Sequence, residues 1–409
     1  MINICNPDSC SACNACSNIC PKNAIQLKHN DCGFLVAHVD QEKCIDCGLC
    51  SKTCHINSSS ALNKPLDCFA AIRKNKKERL DSASGGISSL LYEKFLERAE
   101  KPIAYGVSYN TFLIPTYISI KEYDDISQTR GSKYIYSNMG SIYKDIENEL
   151  KKSKKVLFTG LPCQVSGLKN YLAMKKINLE NIYFCDIFCH GVSSEVFFLQ
   201  EIDYYKKKYH ISSINNVTFR SNRNRKNFRL VLYGNKANGK RISKNFLVDE
   251  DYYFYGFLKE GLTLRESCYT CKYSTNARAG DISLGDFIGL GTNAKFGERP
   301  KEFDYNSSCI LINSKKGFEL LDMIKDECVI TKRKIEEAVD GGSSLKKPYE
   351  KSPKREQFIK CFRETHDFIY SIEKASNHHI KKYRMTHAFI KWAKDFYALN
   401  IKKRKRIND

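Results

Sequence analysis

With 409 residues, 42% of them hydrophobic and 28% charged, the chain is too long for a ferredoxin alone and has room for two or three domains with full-sized cores. No run of about 18 apolar residues occurs, which argues against a membrane-spanning helix. The formal charge of +21 is uneven: residues 1–60 hold four Lys and five Asp or Glu, so the basic excess lies in 61–409. Nineteen cysteines behind a start, MINICNPDSC, that lacks the basic and apolar regions of a signal peptide point to a reducing cytoplasm and to metal thiolates rather than disulfides.

The first readable stretch runs from Cys10 to Cys54. It contains CSACNACSNICP and CIDCGLCSKTC, both following C-x2-C-x2-C-x3-C. That is the spacing of two-cluster bacterial ferredoxins, in which the fourth cysteine of each half serves the other half's cluster. Cys10, Cys13, Cys16 and Cys54 are therefore expected to hold one 4Fe-4S cluster, and Cys44, Cys47, Cys50 and Cys20 another. A zinc pair would need only C-x2-C twice per ion, so the third and fourth cysteines would be surplus. His55 stands where the first half has Pro21 and leaves all eight ligands in place. Residues 1–60 are expected as a two-cluster ferredoxin-type domain, followed by a small polar linker, SSSALNKP (58–65).

From about Leu66 the texture becomes mixed α/β. Strands are expected at 103–109, 155–160, 181–188, 282–287 and 307–313, and helices just after Gly86 and at about 163–174, 193–209 and 314–326. The stretch 214–247 reads as two or three antiparallel strands, and 329–409 as a basic helical extension. Ile380–Asp409 has ten Lys or Arg against two Asp, and Phe389, Trp392, Ala393 and Phe396 share one helical face. Such a helix suits peripheral contact with an anionic membrane, a partner, or its own domain. No recognition motif accompanies the basic excess, so no nucleic-acid partner is expected.

Several stretches carry chemistry. Ser82-Ala83-Ser84-Gly85-Gly86 precedes a helix, where backbone amides and the dipole can meet an anion. Arg130-Gly131-Ser132-Lys133-Tyr134 gathers the groups that grip a pyrophosphate. One strand ends in Gly160-Leu161-Pro162-Cys163-Gln164 and the next in Cys189-His190-Gly191, and parallel sheets bind ligands at such ends. With the C-x2-C of Cys268 and Cys271 they make four ligands, enough for a third cluster or a tetrahedral zinc. Cys185 reads as structural, and Cys5, Cys32, Cys68, Cys309, Cys328 and Cys361 show no partner pattern.

In order, SASGG (82–86), RGSKY (130–134), FTGLPCQVSGLK (158–169), CHG (189–191), RESCYTCKY (265–273) and DISLGDF (281–287) resemble the family of coenzyme F420 hydrogenase/dehydrogenase beta subunits, a group of iron–sulfur flavoproteins. The resemblance implies an FAD beside a 4Fe-4S cluster held by Cys163, Cys189, Cys268 and Cys271, three clusters in all. It sets Ser84, Gly85, Gly86, Arg130, Gly131, Ser132, Lys133, Tyr134, Gly160, Gly191 and Asp286 among the cofactor-binding positions, with Lys133 and His190 as candidate proton donors. It also implies a flavin domain in two parts, 66–150 and 151–328, with coenzyme F420 as a possible substrate and a redox partner protein. Some bacterial members of the family stand beside polysaccharide-synthesis genes, and an electron relay without its own substrate is the alternative. Two departures bear on the second substrate: Ile288 replaces the family's usual Trp, and RSNRNRKNF (220–228) lacks an aromatic usually found near Arg220.

Overall fold

The structure is a computed structural model that describes residues 3–58, 60–220, 228–303 and 306–390. Its N-terminal part is two similar halves joined by an antiparallel hairpin, β1 (Ile25–His29) and β2 (Leu35–Val39). In each half a residue in the left-handed region, Asn14 (φ 64°) or Gly48 (φ 71°), starts a one-turn helix, Ala15–Ile19 or Leu49–Thr53. Each helix stops at the fourth cysteine, Cys20 or Cys54, which is extended. The repeat in sequence is thus a repeat in backbone.

The larger part is built on an eight-stranded mixed sheet. Its strands are β3 (Asp67–Arg73), β4 (Pro102–Tyr109), β5 (Pro115–Ile120), β6 (Lys155–Gly160), β7 (Ile182–Ile187), β11 (Ile282–Asp286), β12 (Ser308–Ile312) and β13 (Cys328–Arg333), in the spatial order β13-β3-β12-β11-β7-β6-β4-β5. The strands β4, β6, β7 and β11 are parallel, and the flanking strands are antiparallel. Between β7 and β11, strands β8 (Ser213–Thr218), β9 (Arg229–Asn235) and β10 (Arg241–Leu247) form a separate antiparallel sheet. The mixed α/β fold, the ferredoxin-like start and the helical C-terminal region are as the sequence leads one to expect.

Alternation along the strands divides the core. Val156 and Phe158 face the helices Ile142–Lys151 and Pro162–Met174 together with Cys13, Ala15 and Ile19 of the cysteine-rich part. Leu157, Ile282 and Ile310 face the helices Ile87–Arg98 and Lys315–Ile324 on the other side. A third, aromatic core joins Phe197 and Phe198 to Phe358, Phe362 and Phe368 of the helices Arg355–Thr365 and Phe368–Ala375, and reaches Phe34 beside the hairpin.

Five strands have no counterpart among those expected: β1 and β2 of the hairpin, and β3, β5 and β13 of the large sheet. β13 falls where a helical extension is expected, because its charged end, Lys332-Arg333, reads as helix surface. Pairing with β3 holds it as the sheet edge, so the sheet runs beyond residue 328 and the first helix after it is Ile335–Gly341. A helix at 379–390 packs back on the chain: Arg384 donates to the Glu250 carbonyl at 2.7 Å and to the Tyr205 hydroxyl at 2.8 Å. Phe389 is 66% exposed; Trp392, Ala393 and Phe396 lie outside the described residues.

Gly85 has a packing role. A Cβ there would stand 2.5 Å from the Ala71 carbonyl oxygen and 2.9 Å from the Ser308 backbone nitrogen, so the turn before the helix Ile87–Arg98 can press against β3 and β12. Gly85→Ala should destabilise the protein by about 1–3 kcal/mol through overpacking, read as a lower denaturation midpoint of protein stripped of its cofactors.

Candidate functional site

Four of the N-terminal cysteines, one of them from the second half, stand together. Cys10, Cys13, Cys16 and Cys54 line one small cavity of about 20 Å³ with Ala12 and His55. Burial pushes the Cys13 thiol up to about 12. Cys5 lines the same cavity; its hydrogen bonds to Cys10 and Cys54 hold its own thiol up and draw theirs down. Nothing in the C-x2-C spacing marks Cys5. In the other group, burial raises the Cys50 thiol, with Cys47 and Cys20 as neighbours. Cys47 is exposed and Cys44 half-buried, so this group lies at the surface. Among the described residues, no three His, Cys, Asp or Glu side chains stand close enough to share a single metal ion; a four-iron cubane holds its thiolates wider apart than one zinc does.

Four further cysteines meet behind the sheet. Cys163 is in the first turn of the helix Pro162–Met174, directly after β6. Cys189 follows β7, and Cys268 ends a 3-10 turn, Glu266–Cys268. Burial is the main cause raising the Cys163 thiol, followed by Cys271, Cys189, Cys13 and Cys268. Burial and the neighbouring Cys268 push Cys189 up to about 12, and burial and Cys271 push Cys268 up to about 11. Cys13 thus places the N-terminal group next to this one. A Cβ on Gly167, one turn after Cys163, would lie 3.0 Å from the Cys13 sulfur.

Asp186 and Arg278, unmarked by the sequence, and Gln164, beside Cys163 in its motif, position this group. Asp186, at the end of β7, is fully buried and accepts from Arg278 (Nη2, 2.8 Å) and from the backbone N–H groups of Ala279 and Gly280 (both 2.9 Å). Arg278 also donates to the Ile187 carbonyl at 3.2 Å. This ties the chain after Cys271 to the strand that ends at Cys189. Gln164 accepts from the Leu161 N–H (3.0 Å) and the Tyr117 hydroxyl (2.7 Å) and donates to the Ser137 carbonyl (3.0 Å), which fixes the turn that carries Cys163.

A cleft of about 320 Å³ opens at the carboxyl ends of β4, β6, β7 and β11. Ser84, Gly86, Arg130, Gly131, Ser132, Lys133, Tyr134, Gly160, Gly191 and Asp286 all line it, as do Cys189 and His190. Gly85 and Ile288 do not; Gly85 faces the sheet, and Ile288 is 61% exposed to solvent. Gly131 has φ +80° and open space where a Cβ would be. The Lys133 ammonium donates to the Thr129 (3.0 Å) and Arg130 (3.1 Å) carbonyls, and burial lowers its pKa to about 8. Arg130 is paired with Glu78, yet its Nε is buried without a partner. The same is true of His190 Nε2, and burial lowers the pKa of that ring to about 4. Arg220 donates to Asp286 at 2.6 Å and lies 5.0 Å over the Phe228 ring, which in turn neighbours Tyr134.

The chain is similar to known proteins over two stretches. Residues 153–338 match the family described as the C terminus of the coenzyme F420 hydrogenase/dehydrogenase beta subunit, and residues 9–58 match a 4Fe-4S dicluster domain. The two matches lie one after the other in the chain and do not overlap. It is 23% identical over 189 residues to the F subunit of the F(420)H(2) dehydrogenase of Methanosarcina mazei, covering 44% of this chain and 53% of that one. It is 25% identical over 167 residues to the coenzyme F420-dependent sulfite reductase of Methanocaldococcus jannaschii, covering 39% of this chain and 24% of that one. The chain spans about half the length of the first of these relatives and about a quarter of the second. A chain in a solved structure of the F420-reducing [NiFe] hydrogenase complex from Methanosarcina barkeri superposes with TM-score 0.42 at 17% identity, covering 77% of this chain and 91% of that one.

The Asp186–Arg278 pair is at most 1% exposed, and removing one member of such a pair costs about 3–5 kcal/mol. Asp186→Ala should lower the unfolding free energy by that amount, and Asp186→Leu with Arg278→Met should recover much of it; denaturant titration decides. At Lys133, an anion bound nearby favours the protonated amine. The affinity of the cleft for an anionic ligand such as inorganic pyrophosphate, measured by titration, should therefore weaken as pH rises through about 8, and Lys133→Met should flatten that dependence.

Proposed function

We propose that the protein is an iron–sulfur flavoprotein oxidoreductase that passes electrons between a hydride-exchanging coenzyme of the F420 kind and a one-electron partner protein. One observation carries the reading. The strand-end cleft is lined by Cys189, whose group includes Cys163, and Cys163 neighbours Cys13 of the N-terminal sites.

The cleft residues fit a flavin nucleotide. The N-terminus of the helix Ile87–Arg98, the hydroxyls of Ser84 and Ser132 and the open side of Gly131 suit its phosphates. Arg130 Nε and His190 Nε2 are buried polar atoms awaiting a partner, which a polar ligand would satisfy. FAD bound there would supply the exchange between the paired electrons of a hydride and the single electrons carried by 4Fe-4S clusters. The chain's own residues bind and orient: Lys133 supplies positive charge, His190 offers a hydrogen bond through its buried Nε2, and Arg220 fixes the Asp286 carboxylate at the cleft wall. Cys163, Cys189, Cys268 and Cys271 would hold the inner cluster. Cys10, Cys13, Cys16 and Cys54 would hold the next, and Cys20, Cys44, Cys47 and Cys50 the outermost, where Cys47 meets solvent. The division we propose is a two-cluster unit over 1–60, a flavin unit from 66 to the end of β13, and a helical remainder that clamps the two together.

Anaerobically purified protein should contain about twelve irons and one FAD per chain by the ligand count, and Cys268→Ser should lose about four irons and keep the other eight. Zinc without flavin would overturn the reading. Bleaching of the flavin by reduced coenzyme F420, NAD(P)H or reduced ferredoxin would name the donor; no bleaching without a partner protein would make the chain a relay.

A further inference from the structure

The contacts around the C-x2-C segment go beyond holding its own site. On one side of Cys268, Arg265 donates to the carbonyls of Cys10 (3.2 Å) and Leu35 (2.6 Å), and the Ser267 hydroxyl donates to the Cys10 carbonyl at 3.3 Å. On the other side, beyond Cys271, Lys272 donates to the His55 carbonyl and the Tyr273 hydroxyl lies 2.8 Å from His55 Nδ1. His55 Nε2 is 2.7 Å from the Ser11 hydroxyl. The residues flanking one C-x2-C therefore grip both chain ends of the Cys10/Cys13/Cys16/Cys54 site, at Cys10-Ser11 and at Cys54-His55. His55 is 2% exposed, and both ring nitrogens are engaged. A proline at this position, as at Pro21 in the first half, could make neither side-chain bond.

From this geometry we infer that His55 is a positioning residue for electron passage. It locks the ligand loop of the Cys10/Cys13/Cys16/Cys54 site to that of the Cys163/Cys189/Cys268/Cys271 site and makes the former the direct exchange partner of the inner site. The inference rests on the reading under Proposed function. The step it serves moves one electron: one site is oxidised by one electron, the other is reduced by one, and no bond or proton changes place. Electron transfer falls steeply with distance, so two loops held by the His55 imidazole together with Arg265, Ser267 and Lys272 keep a spacing that two loosely apposed domains would not.

The test uses the whole cofactor-loaded chain and compares wild type with His55→Leu, His55→Gln and Tyr273→Phe. The expected result is unchanged iron and flavin content. Reduction of the N-terminal clusters after flavin reduction should slow at least tenfold in His55→Leu and less in Tyr273→Phe, with substantial recovery in His55→Gln, whose amide can serve both partners. The magnetic interaction between reduced clusters, read by electron paramagnetic resonance, should weaken in the same order. Tyr273→Phe removes one hydroxyl and keeps the ring, so it decides the matter even where His55→Leu loses iron. Wild-type rates and an unchanged coupled spectrum in Tyr273→Phe and in any iron-replete His55→Leu would overturn the inference alone. Wild-type protein without a third cluster or without flavin would overturn the functional reading and this inference with it.

Discussion

The buried pair Asp186–Arg278 is the constraint on which the site depends. Its carboxylate is out of reach of water, and it is satisfied by one guanidinium and two backbone N–H groups. A charge so placed tolerates no slack, because any separation leaves it unpaired in a low-dielectric interior. The pair therefore sets where the chain re-enters the sheet at β11 after the Cys268–Cys271 turn. It also sets how that turn stands against Cys189 at the end of β7. From there Arg265, Ser267, Lys272 and Tyr273 carry the constraint outward to the N-terminal cysteines.

The charge asymmetry of the sequence has a specific structural expression. Beside the cysteine sites the basic part meets the N-terminal part through cations whose partners are carbonyl oxygens: Arg265 on Cys10 and Leu35, Lys272 on His55. Such bonds are charge-assisted and directional, which suits a fixed spacing better than exposed ion pairs do. The C-terminal helices add an apolar clamp. Phe197 and Phe362 close over Gly33, where a Cβ would stand 3.2 Å from either ring, and Phe34 packs edge-on against Phe197 at 5.5 Å.

Much was legible from local pattern. The doubled cysteine spacing announced two crossed groups, and the cavity that unites Cys54 with Cys10, Cys13 and Cys16 follows that crossing. Apolar runs located β4, β6, β7, β11 and β12 because buried central strands are locally apolar. β13 escaped because an edge strand with a charged end has no such run, and its state is decided by pairing with β3. Within the site, Ser84, Lys133 and Asp286 were found as motif members and do line the cleft, whereas Gly85 shares their motif and serves packing. Cys5, Asp186 and Arg278 gave no signal, since each acts through neighbours distant in the chain.

By itself, the sequence determined what depends on spacing within a few residues: the ligand loops, the glycine-rich turns and the strand ends that carry Cys163 and Cys189. Only the tertiary structure decided which loops meet. Four thiols from three separate segments gather because β6 and β7 lie side by side and Arg278 draws the C-x2-C turn to them. The N-terminal sites stand beside that group because Gly167 leaves room for Cys13 and His55 bridges Ser11 to Tyr273. Those meetings span up to 262 residues of chain, from Ser11 to Tyr273. No local pattern encodes them; they follow from burying apolar faces while pairing groups such as Asp186 and Arg278.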